Sequence, residues 1–128
     1  TVDGLILEAT FRLVPGDPSR IRAAMEEHRR DRVSKGHFLF PCAGSVFKNN
    51  RAFGAPTGRL VDSLGLKGLA IGGAQVAPFH GNIIVNTGAA TAADVRALIE
   101  RVEEEVARRL GFALEREVIL VGDWGADS

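Results

Sequence analysis

The 128-residue chain contains no tyrosine, a single tryptophan and a single cysteine. Because Cys42 has no second cysteine to pair with, an internal disulfide is excluded. The chain also lacks an excess of charge, since 16 basic residues balance 16 acidic ones. This balance argues against a nucleic-acid-binding protein held by phosphate neutralisation. No apolar run approaches a membrane span and no signal-peptide pattern is present, so we expect a cytoplasmic protein without a membrane partner.

What the sequence does have is the length and apolar content of one globular domain, with 45% hydrophobic and 25% charged residues. Many of its 15 glycines lie between Gly54 and Gly81, where apolar residues are interleaved with them. This pattern indicates several tight turns rather than a low-complexity segment. No internal repeat is present, and no linker marks a second domain.

Three helices are predicted from start and stop signals. Asp17 and Pro18 form the cap and first position of a helix that Gly36 ends. A short helix over residues 57–64 should end at Gly65, with Leu66 as the apolar contact that accompanies such caps. The clearest pattern is the apolar stripe of residues 91–110, which begins with a capping-box-like pair and stops at a glycine.

The strand signals decide the fold class. Residues 7–14 alternate apolar with polar side chains, which predicts a half-buried strand. Further strands are predicted at residues 74–77, 82–86 and 117–121. The resulting order of strands and helices predicts an α+β domain, in which helices pack on a small mixed or antiparallel sheet.

The residues offer no standard catalytic pattern. Three scattered histidines and one cysteine give no metal-ligand spacing, and no glycine-rich loop of the dinucleotide or P-loop type is present. Residues 41–50 place a hydroxyl, an ammonium and two carboxamides close together, on Ser45, Lys48, Asn49 and Asn50. No glycine stands two places after Ser45, so the stretch is not a nucleophile elbow. Spacing alone leaves Ser45 as either a site residue or a structural turn residue.

The stretch Pro41-Cys42-Ala43-Gly44-Ser45-Val46-Phe47-Lys48-Asn49 resembles the signature of the UDP-N-acetylenolpyruvoylglucosamine reductase (MurB) family of peptidoglycan synthesis. The motifs Gly65-Leu66-Lys67-Gly68, Ile71-Gly72-Gly73-Ala74-Gln75-Val76 and Asn82-Ile83-Ile84-Val85-Asn86 follow in the family's order. The resemblance implies that residues 16–122 are the C-terminal substrate-binding domain of this fold. Residues 1–15 would then be a remnant strand of an upstream flavin domain, and residues 123–128 a polar tail.

The resemblance also implies an activity. The family's enzymes reduce the enolpyruvyl ether of UDP-N-acetylglucosamine-enolpyruvate to UDP-N-acetylmuramate, using NADPH through FAD. The FAD contacts belong to the upstream domain, so we expect no cofactor on this chain and no activity in isolation. Its partners would be the substrate and the flavin domain, and the protein would be a monomer. The alternative is a non-enzymatic module that binds UDP-sugars or a protein through the same fold.

Individual roles follow only from the resemblance. Ser45 matches the family's proton donor, and Glu117 matches the glutamate that assists it. Four residues match substrate contacts, namely Lys35, Asn49, Gln75 and His80. Each of the four has a structural alternative, as a helix-end lysine, a turn residue, a strand-edge side chain and a loop residue. The sequence departs from the family at Asn50 and Arg116, where proline is usual, and at Ile119, where arginine is common.

Overall fold

The computed structural model describes residues 7–36 and 38–124. A four-stranded antiparallel sheet in the order β1-β4-β3-β2 carries the fold, and the predicted α+β class is confirmed. The elements, in chain order, are helix α1 (Pro18–Ser34), strand β1 (Cys42–Ser45), a 3-10 turn (Arg51–Phe53), helix α2 (Thr57–Ser63), strands β2 (Ala70–Ile71), β3 (Ala74–Val76) and β4 (Ile83–Asn86), and helix α3 (Ala92–Leu110).

The core lies between the sheet and α3. The apolar stripe of α3 is buried, and the helix lies against β2 and β3. Phe47 after β1 and Val61 of α2 are also almost fully buried and join the same cluster. Removing such side chains from water is the main stabilising term of a domain of this size.

Both predicted ends of α3 are confirmed. Thr91 accepts a hydrogen bond from the N–H of Asp94, and the Asp94 carboxylate accepts one from the N–H of Thr91. This reciprocal pair is a capping box in which aspartate takes the usual place of glutamate. At the other end Gly111 has a φ of 74°, the left-handed conformation that glycine adopts without strain.

The predicted end of α2 is confirmed as well. The N–H of Gly65 donates to the carbonyl of Asp62, and the N–H of Leu66 donates to the carbonyl of Val61. These two bonds form a Schellman motif, with Gly65 at a φ of 71°. Leu66 is buried, so the motif turns the chain back onto the core.

Helix α1 begins as predicted but contributes nothing to the core. The Asp17 carboxylate accepts from the N–H of Arg20, and Pro18 occupies the first turn. None of its side chains is buried, and Ile21 and Met25 are 49% and 66% exposed. The apolar side chains of this helix are therefore left largely exposed by the described residues.

Two predicted strands are wrong. Residues 7–14 form no strand, and Leu7, Phe11 and Leu13 are exposed. Alternation predicts one apolar face, but a strand also needs a neighbour that takes its backbone hydrogen bonds, and no described residue pairs with this segment. Residues 1–6 of the predicted remnant strand lie outside the described residues.

The predicted strand at 117–121 is reduced to one bridge between Phe47 and Arg116. The carbonyl of Val46 accepts hydrogen bonds from the N–H groups of Glu117, at 2.8 Å, and Val118, at 3.4 Å. This shared acceptor breaks the regular ladder, and Ile119 and Val121 beyond it are exposed. The glycine-rich stretch before β3 contains the short strand β2, which was not predicted from the sequence.

Candidate functional site

A cleft of about 360 Å³ opens beside the end of β1, between α2 and the turn that precedes β4. Its polar and charged lining residues are Ser45, Asn49, Arg59, Asp62, Lys67, His80 and Asn82. Three of the residues proposed from the sequence, Ser45, Asn49 and His80, therefore share one cleft. The cleft volume is at the lower end of the range of about 300–1,000 Å³ that ligand pockets show.

The floor of the cleft is fixed by Asn82. This side chain is 3% exposed, accepts from the N–H of Phe47 at 2.9 Å and donates to the carbonyl of Phe47 at 2.8 Å. The carbonyl of Asn82 also accepts from the N–H of Val46. Because every one of these groups is paired, the chain directly after Ser45 is held rigidly against β4.

His80 is oriented by its own turn. Its Nδ1 accepts from the N–H of Asn82 at 3.1 Å, so the neutral ring carries its proton on Nε2. The ring lies against Gly58, where a methyl group would approach Cε1 to 2.9 Å. Glycine at position 58 thus allows the imidazole to sit close to the first turn of α2.

Asn49 joins the cleft to the start of α2. Its Oδ1 accepts from the N–H of Thr57 at 2.9 Å, and the Thr57 hydroxyl donates to the carbonyl of Lys48. Pro56, the residue before the helix, provides no side-chain cap. Asn49 therefore satisfies a helix amide from another segment, and its remaining amide protons are donors for a ligand.

The charges of the cleft favour an anion. Arg59 and Lys67 bring two positive charges, and Asp62 brings one negative charge. The ammonium of Lys67 lies 2.9 Å from the Asp62 carboxylate, with side chains 33% and 48% exposed. An exposed pair of this kind is worth little, so Lys67 can exchange Asp62 for a phosphate oxygen at small cost.

Sequence reasoning did not select Arg59, Asp62 or Asn82 as site residues. Lys67 stands in the Gly65–Gly68 motif, which is a signal that could have been used. Arg59 and Asp62 carry no pattern of their own, since they look like the exposed charges of any short helix. Their place in the cleft follows from the close packing of α2 against Gly81. A methyl group at Gly81 would lie only 2.4 Å from the carbonyl oxygen of Gly58 in this helix.

The other three proposed residues do not line this cleft. The Lys35 ammonium is paired with Asp31 at 2.7 Å, although the next residue, Gly36, lies against the cleft residue Phe79. Gln75 on β3 donates from Nε2 to the carbonyl of Gly68. Glu117 is joined to the site through its backbone, because its N–H donates to the carbonyl of Val46, the residue after Ser45.

This cleft does not suit FAD, because it is polar and small for a dinucleotide. No group of three potential ligands among the described residues could hold a metal ion. Within residues 7–36 and 38–124, no helix has the length and apolar content needed to cross a membrane.

Comparison with known proteins shows the family to which this chain belongs. The family model "UDP-N-acetylenolpyruvoylglucosamine reductase, C-terminal domain" matches residues 34–121. A reductase of that name from Treponema denticola is 54% identical over 121 residues, which are 94% of this chain and 38% of the relative. The namesake from Treponema pallidum is 54% identical over 119 residues, covering 93% of this chain and 34% of the relative.

Among solved structures, the crystal structure of the reductase MurB from Thermus caldophilus superimposes with a TM-score of 0.59 at 41% identity. It covers 77% of this chain, which in turn covers 34% of that protein. The chain thus spans between 34% and 38% of the length of these three proteins. It belongs to the UDP-N-acetylenolpyruvoylglucosamine reductase family and corresponds to that family's C-terminal domain.

Proposed function

We propose that this chain is the substrate-binding domain of a reductase that converts UDP-N-acetylglucosamine-enolpyruvate to UDP-N-acetylmuramate in peptidoglycan synthesis. One observation carries the proposal: in a member of this family, a single cleft collects Ser45, Asn49, His80 and two cationic side chains. FAD and NADPH, bound outside this chain, would supply the hydride. The flavin domain is the expected partner, and the cytoplasm is the expected compartment of a monomeric enzyme.

Ser45 is the proposed proton donor. Reduction adds a hydride to the terminal carbon of the enolpyruvyl group, and negative charge develops on the adjacent carbon, which must be protonated. A hydroxyl can serve as this acid only where its surroundings stabilise the alkoxide. The excess positive charge of Arg59 and Lys67 over Asp62 gives this cleft a suitable potential.

Glu117 is the proposed partner of Ser45 in proton transfer. Its carboxylate does not line the cleft, but its backbone is hydrogen-bonded next to Ser45, through the carbonyl of Val46. We propose that substrate and the flavin domain complete the site around this carboxylate. The geometry of catalytic groups commonly tightens only when substrate is bound.

The substrate's nucleotide portion would occupy the cleft. Arg59 and Lys67 suit the diphosphate, while Asn49 and His80 bring an amide and an imidazole that suit polar groups of the uracil or the sugar. Contacts from Lys35 and Gln75 stay predictions. Lys35 lies one residue from Gly36, which contacts Phe79, so an extended ligand can reach it if the pair with Asp31 opens.

The test uses a chimera in which this chain replaces the matching region of the Treponema denticola relative. Ser45→Ala should lower kcat on the order of 10²–10⁴-fold, the usual contribution of one general acid. The KM for the enolpyruvyl substrate should change little, because a contact made only in the transition state is lost. Reduction of the bound flavin by NADPH should proceed at the parent rate.

Two further variants sharpen the test. Ser45→Cys should retain more activity than Ser45→Ala, because a thiol can still donate a proton. Ser63→Ala is the matched control, since this hydroxyl donates to the carbonyl of Leu60 within α2, away from the lining of the cleft. A Ser45→Ala enzyme that turns over like the Ser63→Ala enzyme would show that Ser45 is a structural residue.

A binding module without catalysis is the second candidate, favoured by the position of the Glu117 carboxylate outside the cleft. Titration of the chain with UDP-N-acetylglucosamine, followed by amide chemical shifts, probes binding for both candidates. An active chimera that depends on Ser45 would decide for the enzyme, whereas tight binding with an inactive chimera would decide for the module.

A further inference from the structure

The segment that follows α3 carries Glu117 with very little regular structure. From Gly111 to Trp124 it forms neither a helix nor a strand, apart from the single bridge at Arg116. A segment with so few ladder bonds opens easily unless side chains fasten it. The side-chain contacts that hold this segment against the domain therefore decide how well Glu117 is placed relative to Ser45.

The backbone of Arg116 takes no part in the two bonds of the bridge. The N–H of Lys48 donates to the carbonyl of Glu115, and the N–H of Glu117 donates to the carbonyl of Val46, both at 2.8 Å. Phe47 and Arg116 are thus a non-hydrogen-bonded antiparallel pair, in which side chains come closest. Replacing the Arg116 side chain removes neither of these two bonds directly. Any effect on them must therefore come from the loss of the contacts that the side chain makes.

Those contacts reach α3. The Arg116 guanidinium binds Glu103 in bidentate fashion, with Nε–Oε1 and Nη2–Oε2 distances of 2.6 Å. The two side chains are only 29% and 25% exposed, so water screens the pair less than the other ion pairs of this segment. Bidentate arginine–carboxylate pairs of this kind are among the strongest polar contacts in proteins.

The pair belongs to a small network. Glu100 lies 4.0 Å from the Arg116 guanidinium and accepts from Arg96 at 2.8 Å. Arg96 in turn lies over the ring of Trp124, with its guanidinium carbon 5.6 Å from the ring centroid. The hydrogen bonds that Arg116 donates to Glu103 raise the pKa of the guanidinium above its ordinary value.

The alternative fastening is weaker. Lys48 pairs with Glu115 across the bridge, but these side chains are 52% and 72% exposed. Exposed pairs contribute little to stability and are screened by salt. Of these two ion pairs, the one between Arg116 and Glu103 is therefore the stronger restraint on residues 115–117.

We infer that Arg116 is a positioning residue, which holds the backbone of Glu117 against the strand of Ser45 by anchoring it to Glu103 on α3. Arg116 does not line the cleft that contains Ser45. The catalytic consequence of this inference rests on the proposed function, whereas the anchoring itself does not.

Amide hydrogen exchange on the 128-residue chain tests the anchoring. Arg116→Ala should speed exchange of the Lys48 and Glu117 amides on the order of tenfold and leave the amide of Ala77, which follows β3 and donates to Ile83, unchanged. Glu103→Ala should have the same effect, and the double variant no more than either single one. Arg101→Ala, which breaks an ion pair with Glu105 on α3, is the matched control.

Unchanged exchange in Arg116→Ala, or additive effects in the double variant, would overturn the inference. In the chimera, Arg116→Ala should lower kcat on the order of tenfold with little change in KM, and Arg116→Lys should recover part of the loss. A parent kcat in Arg116→Ala, with Ser45→Ala impaired, would overturn the positioning role and leave the proposed function standing. If Ser45→Ala is also unimpaired, the proposed function fails, while faster exchange would still support the anchoring.

Discussion

Helices α1 and α3 are nearly equal in length and differ in almost everything else. They have 17 and 19 residues, and each begins at a side-chain cap, Asp17 in α1 and Thr91 in α3. Yet α3 buries five side chains and α1 buries none. Their N-terminal caps are comparable, but α3 carries the clearer apolar stripe, and the sheet covers that stripe.

The comparison separates two kinds of information in a sequence. Caps and glycine stops act over a few residues, and the chain forms them wherever the residues occur. Burial depends on a second surface. The stripe of α3 meets β2 and β3, whereas Ile21 and Met25 of α1 meet no comparable surface in the described part of the chain.

The largest expected effect comes from truncating matched apolar side chains in the two helices. Leu98→Ala in α3 should lower the free energy of unfolding by about 2–5 kcal/mol, because the leucine is fully buried and leaves a cavity. Met25→Ala in α1 should change it by about 0.5 kcal/mol or less, since the side chain is 66% exposed. Urea unfolding of both variants gives the two numbers. Equal losses of unfolding free energy in the two variants would mean that another part of the protein covers α1 in solution.

How much of this contrast the sequence could predict depends on the range of the interaction. The capping box of Thr91, the cap of Asp17 and the Schellman motif at Gly65 were all predicted, because each involves neighbours within about one turn. The strand at 7–14 was predicted wrongly, although its alternation is regular. Alternation says which side chains share a face and says nothing about whether a pairing strand is available.

The candidate site divides in the same way. Ser45, Asn49 and His80 were named through the resemblance, and the fold brings them into one cleft. Arg59 was missed, because a charged residue on a short helix has no periodic signal. Asn82 was missed as well, although its bonds to Phe47 fix the floor of the cleft. Its role depends on a contact across 35 residues, which local patterns do not encode.

A smaller effect is expected when a methyl group is added to one glycine near α3 and, for comparison, to one glycine near α1. At Gly73, in the turn between β2 and β3, the methyl carbon would lie 2.3 Å from the backbone nitrogen of Ala90. Backbone cannot give way cheaply, so Gly73→Ala should lower the free energy of unfolding by about 1–3 kcal/mol. At Gly16, before α1, the nearest atom is the end of the Ile21 side chain at 3.1 Å, which can rotate aside.

Gly16→Ala is accordingly the matched control and should lie within about 0.5 kcal/mol of the parent. Thermal unfolding of both variants is sufficient as a measurement. If Gly73→Ala were as stable as Gly16→Ala, the entry into α3 would be loosely packed against the sheet. The contrast between the two regions would then be confined to the middle of α3.

The smallest expected effect concerns the carboxylate at the start of α3. Hydrogen bonds from the backbone N–H groups of Thr91 and Gly73 hold the pKa of Asp94 below its ordinary value of 3.8. The Asp94 carboxylate therefore ties the capping box to the β2–β3 turn, a connection between elements that the Asp17 cap of α1 does not make. Because the pKa is lower in the folded state, the carboxylate stabilises the fold above the unfolded value. That contribution is lost as the pH falls through the folded-state pKa.

Asp94→Asn should accordingly lower the unfolding midpoint at neutral pH, and the gap to the parent should close as the pH falls below about 4. Asp17→Asn is the control, because asparagine caps a helix about as well as aspartate and this cap serves a helix without buried side chains. Thermal unfolding between neutral pH and about pH 2 measures both. A gap for Asp94→Asn that stays constant over this range would show that the loss comes from the altered hydrogen-bond geometry of the amide. The carboxylate charge would then not be what joins α3 to the sheet.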